Sequence, residues 1–418
     1  MSQNNKIKAK QHFFLDGLLT HKIWGVFIFF IVIWLVFELT FGIGHYPMKW
    51  IESFVFLLED TLQKFIPDGM IKSLLVNGIL KGVGGVIIFL PNIVILFSLL
   101  SLMEESGYMS RVTIVMDKLM RPFGLNGKSF ISLVMGLGCN VPAIMAANKI
   151  ENKNSRLITI LINPLISCSS RFTVYVLFIS AFFPTRSGTI LFLIYFTSIV
   201  FAATLAILLK KYLFKNTYEN VQIHLIKMRV PSVKRILKYM WFNSKLFLQK
   251  ITGAILIASI IIWILSYFPN NFDNKNIEQS YISKIGHFIE PAIEPLGFDW
   301  KMGVSLISGI AAKETITGTL SELYQTQHKP GTEKISLISN LKSQEYTSGS
   351  KMGQKIFTPI VALSFMFFVS IYAPCIATIT TIKKTTKSNK WALFVVVYTT
   401  VLAWVVSFVI YNLGNWLF

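Results

Sequence analysis

Long apolar runs almost free of charge recur along the chain at Ile23–Gly44, Val86–Met103, Leu157–Phe183, Thr189–Leu209, Ile251–Phe268, Phe357–Ile382 and Trp391–Leu413. A helix needs about 20 such residues to cross the hydrocarbon core of a bilayer, so each run predicts a membrane helix. Two further segments, Ser129–Asn148 and Met302–Leu323, are apolar but interrupted. Pro47–Pro67 differs in kind. Ile51, Phe54, Val55, Leu58, Leu62 and Phe65 recur at helical spacing, with Glu52, Glu59, Asp60 and Gln63 opposite. That pattern predicts an amphipathic helix rather than a span, either lying at the outer surface or packed against the bundle. The fold class that follows is all-α: a polytopic transmembrane helical bundle.

Charge supplies the topology. Lys6, Lys8, Lys10 and Lys22 precede the first run and place the N-terminus in the cytoplasm. That run is too long for a signal-peptide core and no small-residue cleavage site follows it, so it reads as a retained span. Residues 210–250 carry ten Lys/Arg against the single acid Glu219, whereas residues 269–301 carry five acids and three lysines. Val86–Met103 leads inward to a basic connection with Arg111, Lys118, Arg121 and Lys128. The net charge of +20 therefore reads as topology, and no aromatic-basic platform accompanies it that would suit nucleic acid. Composition agrees, at 53% hydrophobic and 14% charged residues with a mean hydropathy of +0.58.

The charge rule fails at one place. If Ser129–Asn148 crossed, Lys149, Lys153, Arg156 and the basic linker would all fall outside. A re-entrant hairpin broken around Gly138 and Pro142, in the stretch "GLGCNVPA", removes the conflict. Non-helical backbone at membrane depth is tolerated where protein or a wet cavity surrounds it. The second half repeats the theme with Met302–Leu323 and with Phe357–Ile382, interrupted at "YAPC". Broken segments at matching places in two halves point to a transport site. The expected division is 1–22 as cytoplasmic tail, 23–209 and 251–418 as two pseudo-repeated halves with broken or re-entrant helices, and 210–250 as basic linker.

Four clusters interrupt the apolar pattern: Gly136–Ala143; Asn163-Pro164 followed by Ser167-Cys168-Ser169-Ser170-Arg171; Ala312-Lys313-Glu314-Thr315; and Tyr372–Cys375 with Thr378 one turn on. Ionisable groups in a membrane are costly and face the bundle interior or a water path. The three cysteines, Cys139, Cys168 and Cys375, all sit beside helix breakers or serines, while the six histidines lie in tails and loops. Sulfur beside freed carbonyls suits a soft, partly dehydrated transition-metal cation; a packed small hydrophobe is the other reading of each cysteine. Glu314 either binds a cation or accepts a proton, or forms a structural ion pair with Lys313. Arg171 is expected to pair with Glu104, Glu105 or Glu314. The six methionines between Met103 and Met145 read first as packing. "GLNGKS" (Gly124–Ser129) and "NKIE" (Asn148–Glu151) match nucleotide motifs only in isolation, with no strand before them. No nucleophile–base constellation supports an enzyme.

The segments "FLPNIVILFSLLSLMEESGYMSR", "GLGCNVPAIMAANKIENKNSRLITILINPLISCSSRFTVYVLFISAFFP", "SGIAAKETITGTLSELY" and "YAPCIATITTIKKTTKSNKWALF" resemble, in order, the membrane part of the bacterial ferrous iron transporter family FeoB. The resemblance covers essentially the whole chain. It implies two gate regions around a polar path, and Fe2+ as transported substrate across the bacterial cytoplasmic membrane, with no tightly bound cofactor. It makes Cys139, Asn140, Cys168, Ser169, Ser170, Glu314 and Cys375 the candidate ion-path residues. Members typically begin with a GTPase domain and a helical regulatory domain, whereas this chain begins a few residues before the first span. GTP is thus expected to act only through a partner GTPase domain, alongside small cytoplasmic accessory proteins and a self-association left open. Residues 210–250 and 324–355 are candidate docking surfaces, with simple membrane topology the first reading of most of their lysines. The alternatives are transport of Mn2+, Zn2+ or a nucleoside, and a non-transporting membrane metal receptor.

Overall fold

The computed structural model describes residues 19–21, 23–67, 69–213, 232–269, 279–324, 340–345 and 353–417, with isolated positions 17 and 338. Among these residues the chain is helical apart from turns and one isolated bridge between Glu345 and Lys355. Among the described residues five helical stretches are long and apolar enough to cross a membrane: Trp24–Phe65, Lys153–Phe182, Pro184–Tyr212, Pro359–Thr386 and Asn389–Trp416. Trp34, Phe192 and Val397 stand exposed on three of them, as lipid-facing side chains do. The chain is thus a multi-pass membrane protein.

The first helix, α1 (Trp24–Phe65), corrects the expectation of a separate surface helix at Pro47–Pro67. Pro47 removes one backbone donor but does not end the helix, and the amphipathic stretch continues the first span. Helix α2 (Lys81–Glu105) bends by 80° into α3 (Tyr108–Met120). Arg111 and Lys118, expected in a loop, therefore lie on α3, where the buried Arg111 donates to the Gly107 carbonyl at 2.8 Å. His45 and His287 are likewise helical, inside α1 and α10, and not in loops as expected. Among the described residues the remaining helices of eight or more residues are α4 (Gly127–Gly138), α5 (Asn140–Ala147), α6 (Lys153–Ile162), α7 (Ser169–Phe182), α8 (Ser187–Tyr212), α9 (Val233–Tyr267), α10 (Tyr281–Ile293), α11 (Trp300–Ala311), α12 (Thr315–Leu323), α13 (Pro359–Ile371), α14 (Ile376–Thr386) and α15 (Asn389–Leu417).

Two compact units share the chain, each assembled from discontinuous segments. One comprises Met1–Glu52, Ile87–Asn163 and Ala202–Lys250. Its core packs Phe29, Val36, Leu96, Leu100, Met103 and Met116, with Met109, Met135 and Cys139 against them. Those methionines fill apolar space, as the packing reading expected. Gly127 lets α4 approach α3 so closely that a Cβ would fall on the Thr113 carbonyl oxygen. Gly127→Ala is expected to cost about 1–3 kcal/mol by overpacking, read as a lowered unfolding midpoint in detergent.

The other unit comprises Ser53–Val86, Pro164–Phe201 and Ile251–Phe418. Phe365 lies 5.1 Å from Phe178 and 5.4 Å from Phe298, centroid to centroid, in the aromatic middle of this unit. Helices α13 and α15 are tied by reciprocal serines: Ser364 donates to the Ser407 carbonyl and Ser407 to that of Ser364, at 3.2 and 3.0 Å. Such bonds join helices where apolar lipid provides no hydrophobic drive.

Candidate ion path

The apparent phosphate motif "GLNGKS" is a helix start. Gly124 takes a left-handed φ of 74°, and Asn126 caps α4 by accepting from the Ser129 N–H at 3.0 Å while Ser129 returns the contact. "NKIE" is a turn held by ion pairs from Lys149 to Glu104 and from Glu151 to Lys128.

Helix α4 ends at Cys139, whose backbone is extended (φ −155°, ψ 130°), and α5 starts at Asn140. The chain turns back on itself there, because Ser132 donates to the Ala143 carbonyl at 2.7 Å across the break. This is the hairpin that the charge pattern required. A second hairpin repeats it. Helix α11, capped by Asp299, ends at Ala312 (φ −150°, ψ 137°), and Ser308 meets Thr319 of α12 at 2.9 Å.

The correspondence runs back through both N-terminal approaches. Helices α3 and α10, the short 3-10 turns Arg121–Phe123 and Glu294–Leu296, the left-handed Gly124 and Gly297, the caps Asn126 and Asp299, and the breaks Cys139 and Ala312 all match at a constant offset of 173 residues. Few residues are shared, and among them Gly124 and Gly297 sit where a left-handed backbone favours glycine. By the same register Asn140 corresponds to Lys313, and Gly136 to Gly309.

In the second unit, Cys168, Ser170, Arg171, Lys313, Glu314 and Cys375 come together. Cys168 and Cys375 each sit in extended backbone immediately before a helix, α7 and α14. The Cys168 sulfur lies 3.3 Å from the Ser170 hydroxyl, and the Cys375 sulfur 3.2 Å from that of Thr378. Ser170 also hydrogen-bonds the Glu314 carboxyl. Lys313, almost fully buried, donates to the Ala373 carbonyl at 2.6 Å and stands 3.1 Å above the Tyr372 ring. Arg171, Glu314, Cys168 and Cys375 are all within its electrostatic reach. Tyr372 is itself fixed through a hydrogen bond to the Leu306 carbonyl at 3.2 Å. Ser169 opens α7 beside this group.

Arg171 corrects an expectation. It pairs with none of the proposed carboxylates and donates instead to the carbonyls of Ile166 and Pro164, at 3.3 and 3.2 Å. Glu104 is taken by Lys149, and Glu105 lies 3.9 Å from Arg235. Proline at 164 and the serine run free backbone oxygens, and a guanidinium with five donors satisfies them. Lys313 was read only as a neutraliser of Glu314, yet it bonds a carbonyl and an aromatic face.

Cys139 and Asn140 belong to the first unit. Cys139 packs against the apolar core there and Asn140 is buried. Asn163, outside the expected site set, is fully buried in the same unit and donates to the Ser132 carbonyl and hydroxyl, both at 3.2 Å. The hairpin repeat is the signal that draws attention to its surroundings. None of the three cysteines is in a disulfide. Among the described residues no three His, Cys, Asp or Glu side chains form a preassembled metal group. Most of the lysine-rich segment and residues 214–231 of the basic linker, where docking surfaces were expected, lie outside the described residues.

The family described as "Gate: Nucleoside recognition" matches residues 86–182 and 248–389, more than half the chain, and "Ferrous iron transport protein B C terminus" matches residues 191–243. An Fe(2+) transport protein A/Fe(2+) transporter FeoB fusion protein of Porphyromonas gingivalis is 42% identical over 96% of this chain and 51% of its own length. The Fe(2+) transporters FeoB of Leptospira biflexa and Campylobacter jejuni are 38% and 39% identical, over 96% and 94% of this chain and 59% and 64% of theirs. The chain thus spans between about half and two thirds of these relatives. No solved structure matches it.

Proposed function

The chain belongs to the Gate (nucleoside recognition) family, with an FeoB C-terminal region between its two matched stretches, and from that membership we propose that it conducts ferrous iron across a bacterial cytoplasmic membrane. The observation that carries the reading is the buried group around Lys313, where Cys168, Cys375, Ser170 and Glu314 offer two sulfurs, a hydroxyl and a carboxyl. Soft sulfur and hard oxygen together fit a borderline cation such as Fe2+.

In this mechanism the ion exchanges water for these ligands in steps. Lys313 is a tethered positive charge at the same place, and it yields the Ala373 carbonyl as the ion arrives. Cys139 and Asn140 serve the path in the first unit, and Ser169 helps orient Ser170. The proposed organisation is a cytoplasmic tail (1–22), two membrane halves (23–209 and 251–418) and a basic linker (210–250), with the N-terminus cytoplasmic. GTP hydrolysis is assigned to a partner domain rather than to these residues. The Porphyromonas gingivalis fusion protein supports a small accessory partner.

Fe2+ uptake into proteoliposomes under reducing conditions tests the reading. Cys168→Ser and Cys375→Ser are each expected to slow uptake about tenfold, since an uncharged hydroxyl is a poorer ligand than sulfur for this ion. Uptake unchanged in both, and in Cys139→Ser, would sink the sulfur path. Binding without uptake, with a GTPase supplied, would make the chain a receptor. The family description favours one second reading, a nucleoside as cargo, which the same vesicles test with labelled nucleoside.

A further inference from the structure

The end of α4 holds two buried amide oxygens that no protein group satisfies. Among the described residues, Asn140 Oδ1 and Asn163 Oδ1 have no hydrogen-bond partner, and both side chains are more than nine-tenths buried. They face one spot. A Cβ built on Gly136 would stand 2.7 Å from Asn163 Oδ1 and 3.3 Å from Asn140 Oδ1, so both oxygens aim at the space that a side chain there would fill. The orientation of Asn163 is fixed, because its amide nitrogen donates to the Ser132 carbonyl, which can only accept. Leaving a buried acceptor unsatisfied costs roughly 1–3 kcal/mol, so two that face one spot favour a donor or a cation between them.

The surroundings set the sign of the ligand. Gly136 lies in the last turn of α4, where backbone carbonyls terminate the helix and favour positive charge. The repeat says the same from another direction. At the position corresponding to Asn140, the second hairpin carries Lys313, whose ammonium rests on a carbonyl oxygen and an aromatic face. One copy therefore supplies its own cation, while the other carries an uncharged amide whose oxygen has no partner among the described residues.

We propose that Asn140, Asn163 and the side-chain-free face of Gly136 form an oxygen-lined subsite for a partly dehydrated divalent cation, beside the break at Cys139. It rests on the transport reading only for the identity of the ion, which meets oxygen here and sulfur at Cys139. Gly136 is the clearance that keeps the subsite open.

Mn2+, a divalent ion that favours oxygen ligands, is the probe. Its binding to the whole chain in lipid nanodiscs is followed by the EPR signal of the free ion, in a Glu314→Gln background that weakens the other oxygen-bearing cluster. Gly136→Ala, which fills the space, is expected to weaken binding about tenfold or more, because the added methyl sits where the oxygens must turn. Asn140→Asp, nearly isosteric, is expected to tighten it about tenfold or more by adding a negative charge next to the ion. Mn2+ binding unchanged in Gly136→Ala overturns the proposal. So does an Asn140→Asp chain that binds no better, the result expected if the two amides merely bond each other. Absence of millimolar binding in the parent would overturn it too. Because uptake is not the readout, a chain that binds here and moves no iron refutes the transport reading and leaves this one standing.

Discussion

Arg171→Leu is expected to lower the stability of the unit that contains it by about 3–6 kcal/mol. Arg171 is fully buried and donates to two backbone carbonyls, those of Pro164 and Ile166. Each hydrogen bond from a charged donor contributes about 1.5–3 kcal/mol, and leucine replaces neither. The carbonyls cannot find new partners by relaxing into helix, since Pro164 and the extended Cys168 hold the segment between α6 and α7 open. Lysine recovers little, because one ammonium cannot span two carbonyls as a planar fork does. The measurement is the unfolding midpoint in detergent for wild type, Arg171→Lys and Arg171→Leu. A leucine variant as stable as wild type would show that the carbonyls are satisfied some other way.

Glu314→Gln is expected to reduce the affinity for transported Fe2+ about a hundredfold. Glutamine keeps the shape and can still accept from Ser170, so the change isolates the charge. At about 4 Å and the effective dielectric of a partly buried site, a unit charge pair is worth about 4 kcal/mol. Two thirds of that corresponds to a hundredfold. Lys313 sharpens the expectation, because without the carboxylate the ion would meet only the ammonium's repulsion. The concentration dependence of Fe2+ uptake in proteoliposomes reads the effect. An unchanged half-saturating concentration would remove Glu314 from the path and leave it as a structural partner of Ser170.

The breaks in the membrane helices were legible because breakers announce themselves. "GLGCNVPA", "AAKET" and "YAPC" mark the ends of α4, α11 and α13, and Cys139 and Ala312 at the first two breaks are extended as a turn-back requires. The charge pattern located the hairpin, because a basic connector on the wrong side was its only alternative. Pro47 misled, since one lost backbone bond does not stop a helix whose neighbouring turns remain intact. Helix α3 was hidden by its charges: Arg111 and Lys118 read as loop residues, although one is buried on a backbone carbonyl. The cation–π contact of Lys313 depends on a residue 59 positions away, and no local pattern reveals such a meeting. Asn163 looked like half of a helix-breaking Asn-Pro pair, and only its burial and its fixed amide give it another role.

The constant offset between the two hairpins makes the molecule its own reference state. Gly124 and Gly297 share a left-handed backbone, at 74° and 80°, in the same turn before the same kind of capped helix. The conformational cost of a side chain is therefore common to both and cancels in a comparison. What is left is the neighbourhood: at Gly124 a methyl would press on the pliable stem of Lys210, and at Gly297 on the rigid ring of Tyr411. A duplicated turn thus separates, within one polypeptide, what the backbone demands of a residue from what its neighbours will allow.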